Sequence, residues 1–351
     1  MSVIKSDVAH ERVPDESAPV TLQTVAKLAR VSPSTVSRIL NGTAGVSQAK
    51  RDSVEDAIRI LGFKPNFVAR SLAGGRTHSV GVLTQYIDSP FYGAGIRGIE
   101  DVLTAAGYVP IVTSGFWDAK QELLRIESLI ERRVDGLIVL TSRLSDEALR
   151  GLAQRLPVVV TGRNLESKNL WSLNFENFNA GQIAADHLFD LGHRDLGVIS
   201  GPSDHKDSAD RLDGIRASAN KRGIDLHPSA VVVGDYSEQG GHRAMKNMIS
   251  TGHHFTGIVA LNDQMAFGAM LALQQAGLRV PDDISIVGMD DVSHSAFTLP
   301  PLTTVELPIH RTGRNAAETI IRMLSDDLTR PGSQMLESRL IARESTRRFL
   351  A

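Results

Sequence analysis

From residue 80 onward the chain alternates short, near-continuous apolar runs with longer segments whose apolar residues recur at helical spacing. Few architectures hold that pattern. A run that is apolar at nearly every position is buried on both faces. A helix between successive runs carries the chain back, so the strands come out parallel and are covered on both sides. The runs are Val80–Leu83, Tyr108–Thr113, Gly136–Leu140 and Val158–Thr161. Helices are expected through Ile96, Ile99, Val102 and Leu103, through Leu123, Ile126, Leu129 and Ile130, and over 147–154. The pattern restarts near Asn177. A helix around 183–191 leads to runs at Leu196–Ile199, Val231–Val233, Gly257–Ala260 and Ile284–Val287. Two doubly wound α/β halves of this kind use up the 275 residues after position 76.

What precedes them differs in charge. Residues 20–76 hold nine Lys and Arg against three acids, a balance of +6, while 77–351 hold 27 against 33, or −6. A small basic module in front of an acidic body points to a polyanionic partner for the front alone. Within it, Leu22, Val25, Ala26 and Ala29 form one helical stripe after a capping Thr21. Ser32-Pro33 starts a second helix, with Val36, Ile39 and Leu40 on its apolar side and Asn41-Gly42 at its end. Ser47 caps a third, striped by Val54, Ala57, Ile58 and Leu61 and stopped by Gly62. The first two make a helix-turn-helix, and the second, about 12 Å long, fits a major groove. Its outward side carries Pro33, Ser34, Ser37 and Arg38. Ser34 and Arg38 suit base edges, and Thr35 and Ser37 suit phosphates. A solvated three-helix cap on a larger protein is the competing reading.

The stretch from Val20 to Asn41 (VTLQTVAKLARVSPSTVSRILN) resembles the DNA-reading head of the lactose-repressor/galactose-repressor family of transcriptional regulators. Val46-Ser47, Leu61-Gly-Phe-Lys-Pro-Asn66 and Ala69-Arg-Ser-Leu72 continue the likeness, which runs to about residue 348. One departure is Arg30, where the family carries Gly. If that turn needs φ > 0, Arg costs about 1–2 kcal/mol. Residues 1–19 lie outside the likeness and are expected to be a disordered tail, while the resemblance implies a helix-turn-helix domain over 20–65 and a hinge helix over 66–76. An effector-binding and dimerisation domain over 77–351 follows, of periplasmic-binding-protein type. Its N-subdomain is expected at about 77–175 and 306–334, and its C-subdomain at about 176–305 and 335–351. Seven or eight residues are too few for a stable isolated helix, so the hinge is expected to form against a second subunit over DNA. Leu72 would be the wedge at a base step, Asn66, Ala69 and Arg70 would lie on backbone or groove, and Asn41 at the end of the second helix is a further DNA-binding candidate.

Ligands of open parallel sheets sit beyond the carboxyl ends of the strands. Those ends are rich in amides, hydroxyls and carboxylates, among them Gln85, Thr141, Asp235-Tyr236, Asn262-Asp263 and Asp290-Asp291, and Phe91 and Tyr92 follow the first strand. Such groups suit a polyhydroxy ligand. The resemblance gives Arg211, Asn262 and Asp290 as polar anchors and Tyr236 as a stacking ring. The expected effector set is Gln85, Phe91, Tyr92, Arg211, Tyr236, Asn262 and Asp290.

Little points to chemistry. Gly93-Ala-Gly95-Ile-Arg-Gly98 has the letters of a dinucleotide fingerprint but stands about nine residues past its strand, with no ribose-binding acid after the next one. Close helix packing is the better use for these glycines. His242, His253 and His254 lack metal-ligand spacing, there is no cysteine, and no nucleophile elbow occurs. No catalytic residue, metal or cofactor is expected. The longest apolar runs are about five residues, and no apolar core follows a basic start, so neither a membrane span nor a secretory leader is expected, and a cytoplasmic location is. The expectation is a ligand-controlled repressor, a homodimer or dimer of dimers on a palindromic operator, with a sugar or sugar derivative as effector. The competing class is a carbohydrate-binding or carbohydrate-modifying protein with an incidental head.

Overall fold

The computed structural model describes residues 20–40, 45–63, 76–165, 167–325 and 336–350. Two compact units result, Met1–Thr77 and His78–Ala351. The expected tail over 1–19, the hinge at Asn66, Ala69, Arg70 and Leu72, and Asn41 lie outside the described residues.

In the first unit α1 (Leu22–Leu28), α2 (Pro33–Leu40) and α3 (Gln48–Leu61) pack around Val25, Ala26, Ala29, Val36, Ile39, Val54, Ala57 and Phe63. Thr21 and Thr24 form a reciprocal capping box at the start of α1. The Ser53 hydroxyl donates to the Ala29 carbonyl at 3.1 Å, tying α3 to the turn. That turn passes through Arg30 at φ 53°, the left-handed region that glycine adopts without strain. Arg30→Gly is therefore expected to stabilise the three-helix unit by about 0.5–1 kcal/mol, the relief of strain less the added freedom of the unfolded chain. Slower amide exchange across α1–α3 would report it.

The second unit is two parallel-sheet halves. The first contains β1 (Ser79–Thr84), α4 (Pro90–Ala105), β2 (Val109–Ser114), α5 (Ala119–Glu131), β3 (Gly136–Val139), α6 (Asp146–Ala153), β4 (Val158–Thr161) and β5 (Leu170–Leu173), with sheet order β2-β1-β3-β4-β5. Odd and even positions feed separate cores: Val80, Val82, Ile138 and Val159 on one face, Leu83, Leu137, Val139, Val158 and Val160 on the other. The second half contains α7 (Asn177–Asp190), β6 (Leu196–Ser200), α8 (Lys206–Lys221), β7 (Val231–Val233), α9 (Glu238–Ser250), β8 (Gly257–Ala260), α10 (Asp263–Gln275), β9 (Ser285–Asp290) and β10 (Thr303–Glu306). The chain then returns to the first half as α11 (Ile309–Leu324), whose Ala316, Ala317 and Ile320 join the core beneath α4. It ends in the second sheet as β11 (Arg339–Ile341), order β11-β10-β9-β8-β6-β7. The backbone thus passes between the halves three times.

Two edge strands go beyond the apolar runs read in the sequence, the first parallel and the second not. β5 pairs with β4 at the sheet edge, although LWSL is too short and mixed to mark a strand. β11 runs antiparallel to β10. The fingerprint-like glycines lie in α4 where it meets α11. A Cβ on Gly98 would stand 2.2 Å from the His310 carbonyl oxygen, so that glycine is what lets the two helices touch.

Candidate functional site

The carboxyl ends of both sheets face a cleft between the halves. Six of the seven expected residues line one lobe of it: Phe91 and Tyr92 from α4, Arg211 from α8, Tyr236 after β7, Asn262 before α10, and Asp290 at the end of β9. The lobe is small, about 50 Å³. Burial decides its electrostatics. Arg211 is 6% exposed; its Nε donates to Asn177 Oδ1 at 2.8 Å and its Nη1 to the Leu261 carbonyl. These bonds fix the guanidinium. Burial works against its charge, but Asp290, Tyr236 and Asp207 together hold its pKa above the ordinary value. Asp290 Oδ1 lies 3.6 Å from Arg211 Nη1, within ion-pair range but beyond a hydrogen bond, and is buried without a hydrogen-bond partner among the described residues. Burial raises the Asp290 pKa well above the carboxylate range; Arg211 opposes this, and Asp263 and Asp207 reinforce it. Burial likewise pushes the Tyr236 hydroxyl up to about 12.

Strain gathers at the same place. Thr141, Tyr236, Asp290 and Asp291 all have φ between 52° and 114°, and Phe116 and Trp117 are consecutive left-handed residues at 56° and 55°. Non-glycine residues persist there only where the surroundings fix them. For Trp117 the fixing group is Gln85. Its Oε1 accepts the Trp117 backbone N–H at 2.6 Å, while its Nε2 donates to Glu122 at 3.1 Å and to the Thr141 carbonyl at 3.0 Å. Gln85 is thus fully buried behind the wall and does not line the cleft; the expectation of direct contact gives way because its amide is committed to these three partners. Asn262 lines the cleft, yet its Oδ1 caps α10 through Met265 N (2.9 Å) and its Nδ2 donates to the Tyr236 carbonyl at 3.0 Å. Asp263 is structural: it accepts from Val292 N and from the Ser295 and Thr304 hydroxyls. Asp291 pairs with Arg343 at 2.6 Å.

Sequence reasoning missed Trp117, His205 and Asp207. The Trp117 and His205 rings meet across the cleft, centroids 4.2 Å apart. Beside them Arg143 pairs with Asp204, and the Ser89 hydroxyl donates to Gln264 Oε1 at 3.1 Å. His205 and Asp207 stand at the start of α8, just past the end of β6. The strand-end rule reaches them once it is carried through the loop into the first helical turn.

In the head, Pro33, Ser34 and Arg38 of α2 are exposed, and Thr35 and Ser37 are half-buried. The Ser32 hydroxyl caps α2 through Thr35 N at 3.2 Å and sits 2.8 Å from the Ser34 hydroxyl. Buried Val36 and Ile39 turn the opposite side inward. Pro33, Ser34 and Arg38 thus stand exposed on the side of α2 away from its core.

No helix among the described residues is long and apolar enough to cross a membrane. Residues 21–66 match the model for bacterial regulatory proteins of the lacI family, and 185–346 match the periplasmic binding protein-like domain. The chain is 33% identical over 310 residues to the HTH-type transcriptional repressor PurR of Aliivibrio salmonicida, covering 87% of this chain and 92% of that protein. It is 32% identical over 328 residues to PurR of Escherichia coli O139:H28, covering 93% and 96%. Among solved structures, the Lac repressor dimer bound to operator and the anti-inducer ONPF superposes with a TM-score of 0.84 at 30% identity, covering 94% of this chain and all of that one. The complex of the transcriptional regulator CelR with cellobiose gives 0.70 at 30% identity, covering 93% and 99%. The relatives are repressors rather than enzymes, and their operator-reading head, two-sheet core and cleft recur here in the same order: this chain belongs to the LacI family of bacterial transcriptional regulators.

Proposed function

We propose that this repressor works in the cytoplasm as a homodimer whose grip on a palindromic operator is released by a small carbohydrate-like effector in the cleft. The carrying observation is Asp290 Oδ1, a buried carboxyl oxygen with no hydrogen-bond partner among the described residues, facing an Arg211 that Asn177 and the Leu261 carbonyl hold in place. A hydroxyl of a polyol supplies the missing donor, and Tyr236 and Phe91 offer ring faces for the apolar side of a sugar. That relatives were solved with cellobiose and with ribose supports the ligand class.

In the head, Ser34 and Arg38 read base edges, and Pro33, Thr35, Ser37 and Asn41 lie along the backbone. The segment 66–76 serves as the hinge, with Leu72 the wedge and Asn66, Ala69 and Arg70 in the groove. For dimerisation, Phe297 and Leu299 are 84% and 94% exposed, large apolar surfaces beside Phe267 and Leu271 on one side of the second half. An effector shifts the equilibrium only by its unequal affinity for the two states, and 1–3 kcal/mol is typical of such coupling.

Selection of a binding site from random duplexes, followed by release with a panel of sugars, tests the reading. A palindromic site should emerge, its affinity should fall steeply with salt, and a sugar should weaken it at least fivefold. Equal affinity for all duplexes, or a complex indifferent to every sugar, sinks it.

A further inference from the structure

Asp207 and Arg211 stand four residues apart in α8, the spacing at which an acid followed by a base pairs on one helix face. Both line the cleft, yet no ion pair joins them among the described residues, and Arg211 faces Asp290 at 3.6 Å instead. Asn177, the first residue of α7 and only 4% exposed, lies between them. Its Nδ2 donates to Asp207 Oδ1 at 2.9 Å, and its Oδ1 accepts from Arg211 Nε at 2.8 Å. We infer that Asn177 is a positioning residue for the effector, a neutral spacer that keeps Asp207 and Arg211 from closing on each other and so holds both charges toward the cleft. The inference rests on the reading of the cleft as the effector site and deepens it, since Asn177 itself lines neither lobe of that cleft.

The chemistry asks for an amide. The Asp207 carboxylate needs a donor and the Arg211 guanidinium needs an acceptor, and a short amide carries one of each at a fixed span. Asp207 Oδ2 and Arg211 Nη2 make no hydrogen bond among the described residues and stay available to a ligand. Burial raises the Asp207 pKa and Arg211 opposes it, so the two charges are near enough to feel each other while the amide keeps them from touching.

The backbone gives the spacer its mount. A Cβ on Gly181 of α7 would stand 2.0 Å from the Arg211 carbonyl oxygen, so glycine lets α7 and α8 approach closely enough for a side chain as short as asparagine to reach both groups. On its other side Asn177 follows Phe175 by two residues. Phe175 bridges to Leu336, where two of the passages between the halves run side by side.

The full chain carries two tryptophans, so a Trp171→Phe background leaves Trp117 emission as the reporter. In it Asn177→Ala, Asn177→Asp, Asp207→Asn and the double variant Asn177→Asp/Asp207→Asn are titrated with glucose, galactose, ribose and cellobiose. Operator affinity without sugar reports that each chain is folded. Asn177→Ala strips both charged groups of a partner, and Asn177→Asp sets two carboxylates face to face. Each is expected to lower sugar affinity about 10- to 100-fold. The double variant exchanges donor and acceptor across the bridge, with the amide on α8 and the carboxylate on α7. It is expected to return to the affinity of Asp207→Asn alone within about twofold, whereas the losses would add if Asn177 served only to pack α7. A crystal structure of the Asn177→Ala chain without sugar is expected to show Asp207 and Arg211 paired within about 4 Å. Asn177→Ser, too short to span both groups, takes its place if Asn177→Ala does not fold. Additive losses in the double variant, undiminished affinity in Asn177→Ala, or two charges still apart in that structure overturns the spacer and leaves the effector cleft standing. If no sugar binds, the sugar reading fails by itself and the crystal structure decides on Asn177.

Discussion

Asp290→Asn is expected to weaken effector binding by one to two orders of magnitude while operator affinity without effector stays unchanged. The Asp290 carboxyl oxygen is the natural acceptor for a ligand hydroxyl, and leaving a buried polar group without its partner costs about 1–3 kcal/mol. Asn keeps the shape and tolerates the left-handed backbone at φ 114°, which Ala does not. Arg211 retains Asn177, the Leu261 carbonyl and the nearby Asp207, so the cleft should not come apart. Two titrations check it: sugar against Trp117 emission, and sugar against operator release. A variant that responds to effector like the wild type removes Asp290 from the site.

In the head, Arg38→Ala is expected to lower specific operator affinity 10- to 100-fold, about 1–3 kcal/mol for the loss of a bidentate contact to guanine. Binding to unrelated duplex should fall much less. Arg38 is exposed near the end of α2, on the side away from buried Val36 and Ile39, so its removal leaves the head core intact. Salt titrations on both duplexes separate the roles. A loss of equal size on both, with the salt slope reduced by about one, would make Arg38 a phosphate contact instead.

Much of the architecture was legible because burial on both faces leaves a mark in the residues themselves. β1, β3, β4 and β8 are apolar at nearly every position. The glycines of α4 were also legible as packing residues, since they stand too far from their strand to cradle a phosphate. β5 was not, because a four-residue edge strand takes its conformation from a neighbour's hydrogen-bond ladder rather than from its own side chains, and β11 was expected only through the resemblance, which returns the chain to the second half from about residue 335. In the cleft, strand ends led to Arg211, Tyr236, Asn262 and Asp290 together with the resemblance. Trp117 stayed hidden: its place depends on two successive left-handed residues and a backbone hydrogen bond donated to a glutamine 32 positions earlier, neither of which has a local signature. Gln85 was found for its position and misjudged for its direction, since a strand-end residue can face the cleft or the interior.

The triple passage of backbone between the two sheets has a mechanical consequence. Cutting the chain once, in any of these passages, leaves two covalent ties. A nicked core therefore keeps its halves in register, and a protease that cleaves there need not free either lobe or erase the pocket between them.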